Sequence, residues 1–363
     1  MARRVQIGSI RLQAGRFGKE VKVIHHSKMA LAVGVFAAGV MASVTNASAT
    51  QYPLSIENCG STLHFDAAPE RVVSLGQSTT EILYSLGLAD KVKGTSVWFG
   101  PVMDEFKDVN ASVPRLADND PGFETVVAQK PQLVATQYQW HVGPKGIVGT
   151  TEQFNELSIP VYTAPADCVG KDNAGGGDGV RHEDFTMNLI YQEITDIAQI
   201  FDIEDRGAAL IAKLKDREAQ SLAAVNASGN SNVSTVFWFS SAEIKSDPYV
   251  AGKNGAAAYI ADKLGVTNII DSDEEWPTVG WETIARANPD IIVIGKMGRR
   301  RFPADDWEVK MDFLKTDPVT SQMKAVKNGN IVVMDAQSMD PTIRLIEGIE
   351  TLAEAVEKLN ASN

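Results

Sequence analysis

Hydrophobic positions follow two rhythms along this chain. Short runs rich in Val and Ile occur at Arg71–Leu75, Val92–Ser96, Leu133–Thr136, Val161–Thr163, Thr235–Phe239, Asn268–Ile270, Ile291–Ile294 and Ile331–Met334. They are mostly continuous rather than alternating, which is how strands buried on both faces of a parallel sheet read. Longer stretches of helical spacing lie between them, so the pattern predicts βαβ units and an α/β fold. Phe185–Phe201 carries Leu189, Ile190, Ile194, Ile197, Ala198 and Phe201 at the spacing of one helical face. Ile203–Val225 follows with no Pro and with Gly207 as its single Gly. It predicts a helix about 34 Å long, a stiff spacer between two lobes.

An internal repeat locates those lobes. Gly122-Phe123-Glu124-Thr125 is followed by Pro131-Gln132-Leu133-Val134, and Gly280-Trp281-Glu282-Thr283 by Pro289-Asp290-Ile291-Ile292, at a constant offset of 158 residues. Each unit reads as a short helix, a proline break and a buried strand, with Asp120 and Thr278 offered as N-caps. Leu86-Gly87-Leu88 and Leu264-Gly265-Val266 rhyme in the same way. The repeat predicts two lobes of like topology, residues 50–202 and 229–363, joined by a helix at 203–228.

Residues 1–49 are of another kind. The first 28 hold seven basic residues and one acid, an apolar run follows from Met29 to Val44, and Ala47-Ser48-Ala49 ends it. Basic, apolar, then small-x-small is the order of a secretory signal peptide. The run of about 16 residues is shorter than the roughly 20 that span a bilayer. Export to a periplasm is therefore expected, with cleavage near Ala49. Removing the leader takes the formal charge from −12 to −18, which argues against nucleic acid as a partner. The two cysteines, Cys59 and Cys168, both fall in the mature part, and an even count in an oxidising compartment favours a disulfide over two buried thiols.

Enzyme motifs are missing. There is no Gly-x-Ser-x-Gly and no His-Glu-x-x-His, and the three mature histidines, His64, His141 and His182, share no spacing. Neither catalysis nor a metal site is expected, and no cofactor. Gly175–Gly179 lacks the Lys-Ser/Thr and the following helix of a phosphate loop and reads as a surface loop. Ligands of open parallel sheets sit beyond the carboxyl ends of the strands. Trp98, Phe99, Tyr138, Trp140 and Trp238 fall at such ends and are candidate walls for a large flat or greasy ligand. Arg299, Arg300 and Arg301 follow another strand and would suit an anion.

Ala68–Leu75, the helix start Gln77–Glu81, Leu86-Gly87-Leu88, Phe123-Glu124 through Val134, Tyr249–Gly255 and Gly280-Trp281-Glu282 through Ile292 form an ordered set. In that order they resemble the periplasmic binding proteins of the iron-siderophore, haem and cobalamin uptake transporters. The resemblance implies two Rossmann-like lobes with central parallel sheets, joined by one long helix. It implies a monomer that captures a ferric siderophore and delivers it to an ABC permease dimer with its ATPase. Cobalamin, haem or another large coenzyme is the alternative ligand. It further implies that Glu124 and Glu282, one per lobe, dock to permease arginines, and it supports pairing of Cys59 with Cys168.

Overall fold

The computed structural model describes residues 49–175, 179–229, 232–298 and 300–362. The leader through residue 48, residues 176–178 of the glycine-rich loop, and Arg299 lie outside the described residues.

Two parallel sheets organise the chain. The first is built from Val72–Leu75, Val92–Ser96, Leu133–Thr136 and Val161–Thr163, in spatial order second, first, third, fourth. Ser234–Ser240, Thr267–Asn268, Ile291–Lys296 and Ile331–Asp335 form the second sheet in the same order. A short antiparallel strand, Tyr249–Val250, is added beside Ser234–Ser240. The shared strand order is the three-dimensional form of the 158-residue repeat.

The continuous apolar runs are explained by burial on both faces. In the first sheet, Val72, Leu133 and Ala135 join a large core shared with the long helix and the C-terminal helix. Their neighbours Val73, Leu75 and Val134 pack outward with Phe154. In the second sheet, Phe237, Ile291 and Val293 face the large core, while Val236, Trp238, Ile292 and Ile294 pack with Trp281 and Phe313. A run polar on one face would have left one of these cores incomplete.

The predicted spacer is a 25-residue helix, Glu204–Ser228, with Glu204 and Asp205 in its first turn, where acids favour the helix dipole. Its buried side packs on Asn188–Ile200 and on the C-terminal helix Leu345–Ser362. Arg217 makes a bidentate pair with Glu350 between the long helix and the C-terminal one. The N-terminal hairpin Leu54–Asn58/Ser61–Phe65 lies beside the first sheet, and Asn58 bonds both the N–H and the carbonyl of Thr163. Cys59 and Cys168 are joined in a disulfide across 109 residues.

One segment crosses between the halves. After the disulfide, Lys171–Asp172 pairs with Val180–Arg181, and Val180 then pairs with Glu274 beside the second sheet. Arg181, 1% exposed, donates to Glu275 at 2.9 Å and to the carbonyls of Ala166 and Val169. Asn254 accepts from the N–H of Phe185 and donates to the carbonyl of Arg181. No helix among the described residues is long and apolar enough to cross a membrane.

Candidate functional site

The carboxyl ends of the two sheets face one cleft of about 850 Å³, lined from both halves. It falls within the usual size range of small-molecule sites.

On the first-sheet side, Val97 follows the strand Val92–Ser96 at φ 61°, a left-handed conformation costly for a β-branched residue. The chain turns there. Trp98 is buried, with Arg115 stacked over its ring at 4.7 Å and its indole N–H donated to Thr95. Val97 and Phe99 line the cleft instead. Gln77 fixes this loop by accepting from the N–H groups of Phe99 and Gly100. Gly76, at φ 141°, makes the strand-to-helix turn, and a Cβ there would lie 2.3 Å from Gln137. Gln137 in turn donates to the hydroxyl of Tyr138.

Tyr138 and Trp140 stack with ring centroids 4.2 Å apart and planes 5° from parallel. Both line the cleft, and Trp140 is 38% exposed. Trp140 donates to Nε2 of His141, which also lies 3.1 Å from Asp120. Burial holds His141 below its usual pKa, and with both ring nitrogens engaged it offers no open ligand to an iron atom.

On the second-sheet side, Phe239 and Trp276 pack with centroids 4.7 Å apart, and Tyr249 and Phe302 complete the wall. Trp238 does not take part. It is 0% exposed in the outer core against Trp281 and Phe313, because alternate residues of a strand face opposite sides and Trp238 points away from the cleft. Of the arginine cluster, Arg300 is exposed and pairs with Asp306 at 2.7 Å, outside the cleft. Arg301 lines the cleft and reaches Asn119 of the opposite half at 3.3 Å.

The predicted aromatic wall thus keeps Phe99, Tyr138 and Trp140, loses Trp98 and Trp238, and gains Phe239, Tyr249, Trp276 and Phe302. Trp276 sits in an irregular loop with no periodic pattern to mark it. The electrostatics also differ from the expected anion site. Among the described residues, Asp120, Asp167, Asp172, Glu274, Glu275, Asp305 and Asp340 line the cleft, against Lys171 and Arg301. Asp167 pairs with Lys171 at 2.9 Å, and Glu275 with Arg181 behind it, but the acids remain in excess. Among the described residues no group of three His, Cys, Asp or Glu is placed to hold a metal ion.

Glu124 and Glu282 are both exposed and occupy equivalent places, the first turns of Phe123–Val127 and Trp281–Ala287. The expected caps do not act. Gly122 and Gly280 hold the N-cap positions with no side-chain bond, and Asp120 is turned toward His141 instead.

Comparison with known proteins agrees with this arrangement. Residues 72–338 match the family described as periplasmic binding protein. The chain belongs to that family. A cobalamin-binding protein of Halobacterium salinarum is 24% identical over 354 residues, covering 95% of this chain and 85% of the relative. A solved periplasmic binding protein from Veillonella parvula superposes with a TM-score of 0.70 at 20% identity, covering 84% of this chain and 97% of the other. A solved component of an ABC-type Fe3+-hydroxamate transport system from Saccharomonospora viridis gives a TM-score of 0.66 at 25% identity, covering 84% and 99%. Members of this family are solute-binding proteins of ABC transporters rather than enzymes.

Proposed function

We propose that this periplasmic binding protein is exported and captures a ferric siderophore of neutral or positive charge, of the hydroxamate type, for delivery to an ABC permease and its ATPase. The carrying observation is the cleft wall: among the described residues, seven aromatic side chains from both halves are set among carboxylates that outnumber cations. Aromatic faces favour a bulky, largely apolar ligand. The excess of acids disfavours a tricatecholate, a ferric citrate or the propionates of haem, since like charges in a partly desolvated cleft repel. The engaged His141 further weakens the haem reading. In this reading the lobes are residues 50–202 and 229–363, moving about the helix at 203–228, and Tyr138, Trp140 and Arg301 touch the ligand.

Cobalamin is the second reading. It is favoured by the flat, half-exposed Tyr138–Trp140 stack and by the name of the Halobacterium relative. Tryptophan-fluorescence titration with ferrioxamine B, ferric citrate, a ferric tricatecholate, cyanocobalamin and haemin separates these cases. Saturable quenching by ferrioxamine B with none by the two anionic iron chelates is expected. Preferential binding of either anionic chelate, or of cyanocobalamin alone, would overturn the siderophore assignment.

A further inference from the structure

Behind the second-sheet wall lies a buried ammonium. Lys310, in the helix Trp307–Thr316, is 0% exposed. Its Nζ donates to the carbonyls of Phe239 and Gly295, the latter at 2.7 Å, and lies 3.4 Å from that of Trp238. These carbonyls belong to the carboxyl ends of two adjacent strands, so one side chain ties both together just below the cleft. The Trp238 ring stands 5.3 Å from Nζ. Asp305, 2% exposed, is the charged group that faces Lys310. Its carboxylate accepts from the Ser240 hydroxyl and from the N–H groups of Arg301 and Phe302, at 2.6 and 2.9 Å. Phe239, Ser240, Arg301 and Phe302, all held by this pair, line the cleft.

We propose that Lys310 and Asp305 are positioning residues for ligand capture, and that the charge on Lys310 couples the cleft wall to pH. The inference rests on reading the cleft as the ligand site. An ammonium has three donors for three carbonyls, whereas a neutral amine has two donors and turns a lone pair toward the third. Losing the proton therefore loosens the strand ends that carry Phe239 and the loop after Gly295. Burial lowers the Lys310 pKa to about 7, opposed by Asp305, so the change falls in the neutral range. A ligand that uses the ordered wall binds more tightly below that pH, and by linkage its binding makes Lys310 more basic.

The deciding experiment needs no ligand. In the 15N-labelled mature chain, the amide resonances of Ser240, Arg301 and Phe302 should move together between pH 6 and 8, and Lys310→Met should flatten that titration. A flat wild-type profile, or a Lys310→Met profile that tracks wild type, overturns the proposal. Should Lys310→Met not fold, the wild-type 15Nζ resonance of Lys310 decides, since a signal with no inflection between pH 6 and 8 overturns it equally. Asp305→Asn should displace the Arg301 and Phe302 amides at every pH, and undisturbed amides would remove Asp305 from the proposal. In a second arm, ferrioxamine B should bind wild type about tenfold more tightly at pH 6 than at pH 8. The ratio should fall to near one in Lys310→Met, and an equal ratio in both proteins counts against the coupling. If ferrioxamine B binds at neither pH, the siderophore assignment fails while the amide titration still decides the role of Lys310.

Discussion

Single residues carry two separable roles here, and tryptophan shows them side by side. Trp140 is a half-exposed platform stacked on Tyr138, whereas Trp238 is sealed in a core. Trp140→Ala should weaken ligand binding measurably by fluorescence titration while costing about 1 kcal/mol or less of stability. Trp238→Ala should cost about 3–5 kcal/mol in urea unfolding. Sequence alone could not divide these tryptophans. Which way Trp98 points depends on the left-handed turn at Val97, a conformation that a valine does not advertise. A buried acid offers a second test. Burial raises the Glu193 carboxyl to about 7 from the ordinary 4.5, with Thr79 donating to it and Asp196 nearby. The native state holds this proton after the unfolded chain has released it. Its contribution is complete below pH 4.5 and is lost as pH rises through about 7. Glu193→Gln should therefore raise stability at pH 8 by on the order of 2 kcal/mol and leave it nearly unchanged at pH 4, read from thermal melts at the two pH values.

At the scale of elements, the strands were legible because burial on both faces leaves a continuous apolar run. Leu133–Thr136 and Val161–Thr163 have the bounds that the pattern predicts. The joints between elements were not legible, since they depend on pairs far apart in the chain. Arg344, just before the C-terminal helix, donates to both carboxylate oxygens of Glu81 in the helix after the first strand, and to the carbonyl of Pro101. Glu81 is 1% exposed and also accepts from the N–H of Met103. Glu81→Gln should cost about 3–5 kcal/mol in urea unfolding, because it leaves a buried guanidinium without its counter-charge. Glu350→Gln, which breaks the half-exposed pair with Arg217, should cost about 1 kcal/mol or less.

For the whole molecule, the repeat has a functional reading. Equivalent carboxylates at Glu124 and Glu282, one on each half, suit a permease with two-fold symmetry. The double substitution Glu124→Ala, Glu282→Ala should abolish uptake in cells while ligand affinity of the purified protein is unchanged. Full transport by the double variant would remove both residues from the docking role. Their equivalence was visible in the sequence as a constant offset. The charge of the cleft was not, because its acids are scattered from Asp120 to Asp340 over segments far apart in the chain.

The segment that crosses from the disulfide to Glu275 has a consequence for dissecting this protein. By chain order it belongs to the first half, yet Arg181 finds its carboxylate in the second. A polypeptide ending after the long helix would carry a guanidinium built for burial with nothing to neutralise it. The complementary fragment would carry Glu275 in the same predicament. The two pieces, made separately, are thus expected to be poor folders alone and to reassemble when mixed. Two copies of one topology have in this way become mutually dependent parts of one molecule.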